Sequence, residues 1–160
     1  MASWGAEVVV ECGTCGAAAA GRLGVGQFLR EERLRWDAEF DCTACDAMMC
    51  LGFGDADTPD WVRGPLVERH GTVLLRLVEP SAGRVPVLRV LRTVWPLSLG
   101  EAGRVADLLA GPGLPATLPE AEWLRLLLAG RGAAAEVHPG TGAGRTAGEA
   151  ASGWPWTLHS

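Results

Sequence analysis

The sequence has no Lys, Asn, Ile or Tyr, and only three Phe, three Met and three His among its 160 residues. Those absent types have the codons richest in A and T. All fourteen cations are therefore Arg, as a coding habit that by itself says little about phosphate binding. His70, His138 and His159 lie far apart, and no Ser/His/Asp or Cys/His grouping emerges, so the usual nucleophile and general-base sets are missing. The glycine-rich runs 21–26 and 140–144 lack the Lys-Ser/Thr of a phosphate loop. The expectation is a protein that is not an enzyme. No apolar run approaches the roughly 20 residues that cross a bilayer, and the first residues carry neither the basic start nor the apolar stretch of a signal peptide. These absences give the expectation of a cytoplasmic protein with no membrane contact.

What is present suits a folded chain. Hydrophobic residues make up 48% and charged residues 21%, enough to bury a core, in a length that fits one ordinary domain or two small ones. The net charge of −5 is unevenly spread. Residues 1–60 hold four Arg against eleven carboxylates, a net of −7, whereas residues 61–140 hold nine Arg against seven carboxylates, a net of +2. An acidic first part repels phosphate, so nucleic acid is not the expected partner.

Four of the five cysteines form two pairs of equal spacing, Cys12-Gly13-Thr14-Cys15 and Cys42-Thr43-Ala44-Cys45, with 26 residues between them. A two-residue gap lets both thiolates of a tight knuckle point at one ion, and two knuckles complete the all-sulfur tetrahedron that suits structural Zn2+. Ahead of the first knuckle Ala6, Val8 and Val10 alternate with Glu7, Val9 and Glu11; ahead of the second, Leu34, Trp36, Ala38 and Phe40 alternate with Arg35, Asp37, Glu39 and Asp41. Each knuckle thus ends a strand, as in a zinc ribbon. The gap between pairs exceeds the common 15–20 residues, which calls for an inserted turn or short helix over 27–33. A thiol redox role would need a CxxC opening a helix beside a strand, and neither pair has that context. Cys50, after Met48 and Met49, reads as a buried apolar thiol.

The second half alternates strands and helices. A strand is expected over 72–78, a turn over 80–83, and a helix over 85–94 with Pro86 in its first turn and Pro96 past its end. Ser98 with Glu101 and Thr117 with Glu120 form two capping boxes, opening helices through about 109 and 129. Gly130 and Gly132 then release a last strand over 133–137. The order is β-α-α-β-α-β.

These residues resemble the C-terminal globular domain of the bacterial ribosomal large-subunit stalk protein. The likeness rests on Arg84-Val85-Pro86-Val87-Leu88-Arg89-Val90-Leu91-Arg92, on Leu97-Ser98-Leu99-Gly100-Glu101-Ala102, and on the Ala121-Glu122-Trp123-Leu124-Arg125 and Gly132-Ala133-Ala134-Ala135-Glu136-Val137 stretches. The resemblance implies a patch that recruits a protein partner, a translational GTPase or other translation factor, through Arg84, Val85, Leu88, Arg89 and Arg92. Residues 85, 88, 89 and 92 follow the spacing of one helix face, while Val87, Val90, Leu91 and Val94 lie opposite.

The expected fold class is α+β: a zinc-ribbon-like β module over 1–50, a linker over 51–69, the stalk-like domain over 70–138, and a tail over 139–160. Trp154-Pro155-Trp156 in that tail reads as a clasp over the chain's own surface or as a docking motif. The expected function is a non-catalytic, zinc-containing adaptor working near translation. The alternatives are a zinc-ribbon nucleic-acid binder and a thiol redox protein.

Overall fold

A computed structural model describes residues 2–81 and 83–140 of the chain. The fold is α+β. Four strands, β1 (Ser3–Val10), β2 (Gly21–Arg30), β3 (Arg33–Cys42) and β4 (Met48–Asp55), form an antiparallel meander in the order β1-β2-β3-β4. Helix α1 (Asp60–His70) leads into β5 (Val73–Leu77), α2 (Arg84–Val94), α3 (Leu99–Ala110), β6 (Leu114–Ala116), α4 (Leu118–Ala129) and β7 (Ala135–Pro139). The last three strands make a second antiparallel sheet in the order β6-β5-β7. The β-α-α-β-α-β order of the second half is the one its sequence predicts. Trp154 and Trp156, expected as a clasp or a docking motif, lie outside the described residues.

Alternation sets the faces of the first sheet. Val25, Gln27, Leu34, Ala38 and Cys42 are buried on one side, with Ala6 and Trp36 packed beside them. Glu7, Arg22, Asp37 and Glu39 are exposed on the other. Val62 and Leu66 of α1 cover the inner side, each fully buried and worth about 1.5–3 kcal/mol in removed apolar surface. The segment 27–33, expected as an inserted turn or helix, is strand on both sides of a two-residue turn. Arg30 pairs with Arg33, and Glu31 and Glu32 both take positive φ, the twist-matched conformation of a tight hairpin. The expected linker over 51–69 holds the rest of β4 and nearly all of α1.

The larger core joins both halves. Leu75, Leu91, Leu109, Leu114, Leu124 and Leu128 are fully buried in it, Trp95 meets Trp123 edge to face at 6.4 Å, and Leu34 of β3 belongs to the same cluster. Both capping boxes are present, Ser98 with Glu101 opening α3 and Thr117 with Glu120 opening α4. The second is fully buried because it also serves as the joint. Glu120 accepts from Arg63 Nε at 2.9 Å and from Gln27 Nε2 at 3.1 Å, Gln27 Nε2 also donates to Thr58 Oγ1 at 2.7 Å, and Thr117 Oγ1 donates to Gln27 Oε1. A strand of the first sheet, helix α1 and the start of α4 are thereby tied at one point.

Candidate metal centre and candidate docking face

The two knuckles fold alike. In the first, the Gly16 N–H donates to Cys12 O at 2.8 Å and the Cys12 N–H to Ala17 O at 3.2 Å; in the second, the Asp46 N–H donates to Cys42 O at 3.1 Å and the Cys42 N–H to Ala47 O at 2.8 Å. Gly16 and Asp46, each just past its pair, take the matching positive φ of 68° and 55°. The Thr43 N–H donates to Ala20 O at 2.9 Å and so ties the second knuckle to the strand leaving the first. Both turns lie at one end of the meander because β1 and β3 run the same way.

This brings the four thiols together. Cys12 and Cys42 are buried, Cys15 and Cys45 are on the rim, and all four sulfurs lie within 4.8 Å of one another. Cys12 Sγ is 3.8 Å from Cys45 Sγ, and Cys15 Sγ is 3.8 Å from Cys42 Sγ. Those separations are far beyond a disulfide bond of about 2.05 Å. They equal the edge, about 3.8 Å, of a tetrahedron with metal–sulfur bonds of about 2.3 Å. The Ala44 N–H donates to Cys42 Sγ at 3.3 Å.

The thiols titrate unevenly. Cys12 is pulled down to about 6, first by the Cys15 N–H and also by the Thr14 N–H and the neighbouring Cys42 and Cys15 sulfurs, against its burial. At Cys45 the Ala47 N–H favours the thiolate, but loss of water and the three other sulfurs outweigh it and push that thiol up to about 12. Four thiolates this close repel one another, and a divalent cation is the charge that stabilises all four. The cluster therefore fits a metal site. Four protein ligands would leave an ion held there no open position.

Cys50 does not join it. The register between β3 and β4 shifts at Ala38 and Glu39, leaving Leu51 as the extra residue of a bulge. Cys50 pairs with Glu39 on the solvent side and is exposed, correcting the expectation of a buried thiol.

The five residues expected to bind a partner divide. Val85, Leu88, Arg89 and Arg92 line one shallow depression of about 530 Å³ along α2, together with Thr93, Leu99 and Arg131. Val85 and Leu99 are 59% and 63% exposed, large values for apolar side chains. Arg92 Nε donates to Leu97 O at 3.3 Å. Arg84 is absent from that lining. Its guanidinium pairs with Asp107 Oδ1 at 2.6 Å and donates to Gly103 O at 3.1 Å, clamping α2 to α3. A Cβ on Gly103 would approach that guanidinium to 3.3 Å, a tight contact that the clamp would have to ease. Leu99 and Arg131 escaped the sequence reading because one opens α3 and the other follows α4. Periodicity along α2 alone finds neither.

No known family, characterised protein or solved structure matches the chain. Among the described residues, no helix is long and apolar enough to cross a membrane.

Proposed function

We propose that this protein is a non-catalytic adaptor, in which zinc held by Cys12, Cys15, Cys42 and Cys45 staples the first sheet and the α2 face captures a protein partner. The observation that carries this reading is the depression along α2. It gathers Arg89, Arg92 and Arg131 around the exposed Val85 and Leu99 and the half-buried Leu88, with no carboxylate in its lining. A surface of this kind suits an acidic segment that brings one apolar side chain, the charges steering approach and the apolar knob supplying most of the hold. The resemblance to the ribosomal stalk domain supports a partner among translational GTPases or other translation factors. Zinc is the metal of this reading because four thiolates in a tetrahedron with no open position suit it and disfavour hard, oxygen-seeking ions such as Mg2+ and Ca2+.

Three arginines would also attract a phosphate backbone, so a nucleic-acid partner is the second reading. Affinity capture from the source cell separates the two. Arg89→Glu with Arg92→Glu should abolish capture of either kind, whereas Leu88→Ala should weaken a protein partner by about 1–2 kcal/mol and leave a nucleic acid nearly unaffected. Retained capture by the double charge reversal would remove the α2 face from the account.

A further inference from the structure

Strand β4 ends the first sheet and, among the described residues, pairs only with β3. Half of its backbone N–H and C=O groups consequently face outward. Such edges are normally guarded by charge or proline, yet from Met48 to Gly54 this one has neither. Met48 and Phe53 are 81% and 80% exposed, and Met49 and Leu51 are also exposed. The bulge at Leu51 turns Met48, Cys50 and Phe53 to the same outer face, where they pair with Asp41, Glu39 and Asp37 of β3. Together these side chains line an open trough of about 810 Å³.

The charge beside this apolar edge is mainly acidic, three carboxylates against Arg22 among the residues lining the trough. Asp41 is already held by Arg22 Nε at 2.9 Å. Among the described residues no cation pairs with Asp37 or Glu39, and both are exposed. A second copy placed edge to edge would bring its own acidic face alongside, which the net charge of −5 disfavours. An added strand would lie about 10 Å from β3, two inter-strand steps away. A long basic side chain spans that gap with its aliphatic stem on apolar surface and its cation at the far end.

We infer that the free edge of β4 takes up an extended basic peptide segment as a fifth strand, with arginine or lysine stems lying over Met48 and Phe53 and their cations meeting Asp37 and Glu39. Backbone hydrogen bonds along the edge hold the segment, and alternation places every second residue on the acidic face. This surface is separate from the α2 face and carries the opposite preference in charge.

The test is a titration of the full metal-loaded chain with an octapeptide alternating arginine and valine, followed by calorimetry. Saturable binding is expected with a dissociation constant of roughly 10–100 µM. It should weaken at least about tenfold in Asp37→Asn with Glu39→Gln, and similarly in Phe53→Ser, and stay within about twofold in Arg89→Glu with Arg92→Glu. Circular dichroism and metal content should match the wild type in all variants. The inference is overturned if nothing binds at about 1 mM peptide, or if a glutamate–valine octapeptide binds equally. It is also overturned if the same arginine peptide N-methylated throughout binds equally, since that peptide donates no backbone hydrogen bond. A dimer in sedimentation that Phe53→Ser dissociates would give the edge to a second copy. Binding gained only in Trp154→Ala with Trp156→Ala would give it to the chain's own C-terminus.

Discussion

Arg63 and Glu120 form an ion pair at 2.9 Å whose side chains are 4% and 0% exposed, so neither charge has water as an alternative partner. Glu120 also caps α4, accepting from the Thr117 N–H at 2.9 Å, and it holds Gln27 of the first sheet. Glu120→Ala should therefore cost about 3–5 kcal/mol, because it removes the carboxylate that answers a buried cation and, with it, the cap of α4 and a hydrogen bond to Gln27. Arg63→Met combined with Glu120→Leu should recover part of that loss, since both charges then disappear. Urea unfolding checks both statements, and a single variant within about 0.5 kcal/mol of wild type would contradict them.

Metal removal should act from one end. Gly21 pairs with Cys42 beside the thiols, whereas Leu29 pairs with Leu34 at the opposite end, next to the buried Gln27. After chelation, amide hydrogen exchange should rise first around Val10, Gly21, Cys42 and Met48 and last at Gln27 and Leu34. Acidification should release the metal in the same way, because protons compete for the thiolates. Uniform exchange along the sheet would argue that the metal end has no special dependence on the ion.

Thiol counting distinguishes the five cysteines. Cys50 is exposed on the outer face of β4, and the other four are gathered in the metal cluster. In the native, metal-loaded protein one thiol should react promptly with an aromatic disulfide reagent, and Cys50→Ser should remove that reaction. Four or five prompt thiols would show that the cluster is not protected by a metal.

The clamp between α2 and α3 has a signature in pH. Arg84 holds the Asp107 carboxyl below its ordinary range through a hydrogen bond and its charge, against partial desolvation. A carboxyl lowered in the folded state contributes stability above its ordinary pKa and loses it as pH falls through the folded value. Carboxyl-carbon NMR should find Asp107 titrating low, and Arg84→Ala should return it toward the usual carboxylate range. An unchanged titration in that variant would sever the clamp.

Much of this was legible in the sequence for reasons that can be named. The twin CxxC spacing announced the thiol cluster, strict alternation fixed which residues of β1 and β3 face inward, and the two Ser/Thr-x-x-Glu patterns located the starts of α3 and α4. Helix α1 was hidden because Gly64-Pro65 in its middle reads as a breaker. Tertiary burial of Val62, Leu66 and Val67 overrides that local signal. Buried Arg63 was equally hidden, since its partner lies 57 positions away. The exposure of Cys50 follows from its pairing with Glu39 in the register set at the knuckle end of β4, which composition does not reveal, and the one-residue bulge after it turns Phe53 to the same face. Arg84 shares the α2 sequence pattern with Arg89 and Arg92, yet Asp107 draws it away from the depression.

The central claim, that the α2 face is the working surface, is tested most directly by placing a photo-crosslinking residue at position 88 of the full chain in its source cell. A second chain carries the same residue at position 68, exposed on α1 and outside the depression. The account predicts a discrete crosslinked protein from position 88 that is lost when Arg89→Glu and Arg92→Glu are added, and none from position 68. The same crosslinks from both positions, or a crosslink at 88 that survives the charge reversal, would contradict it.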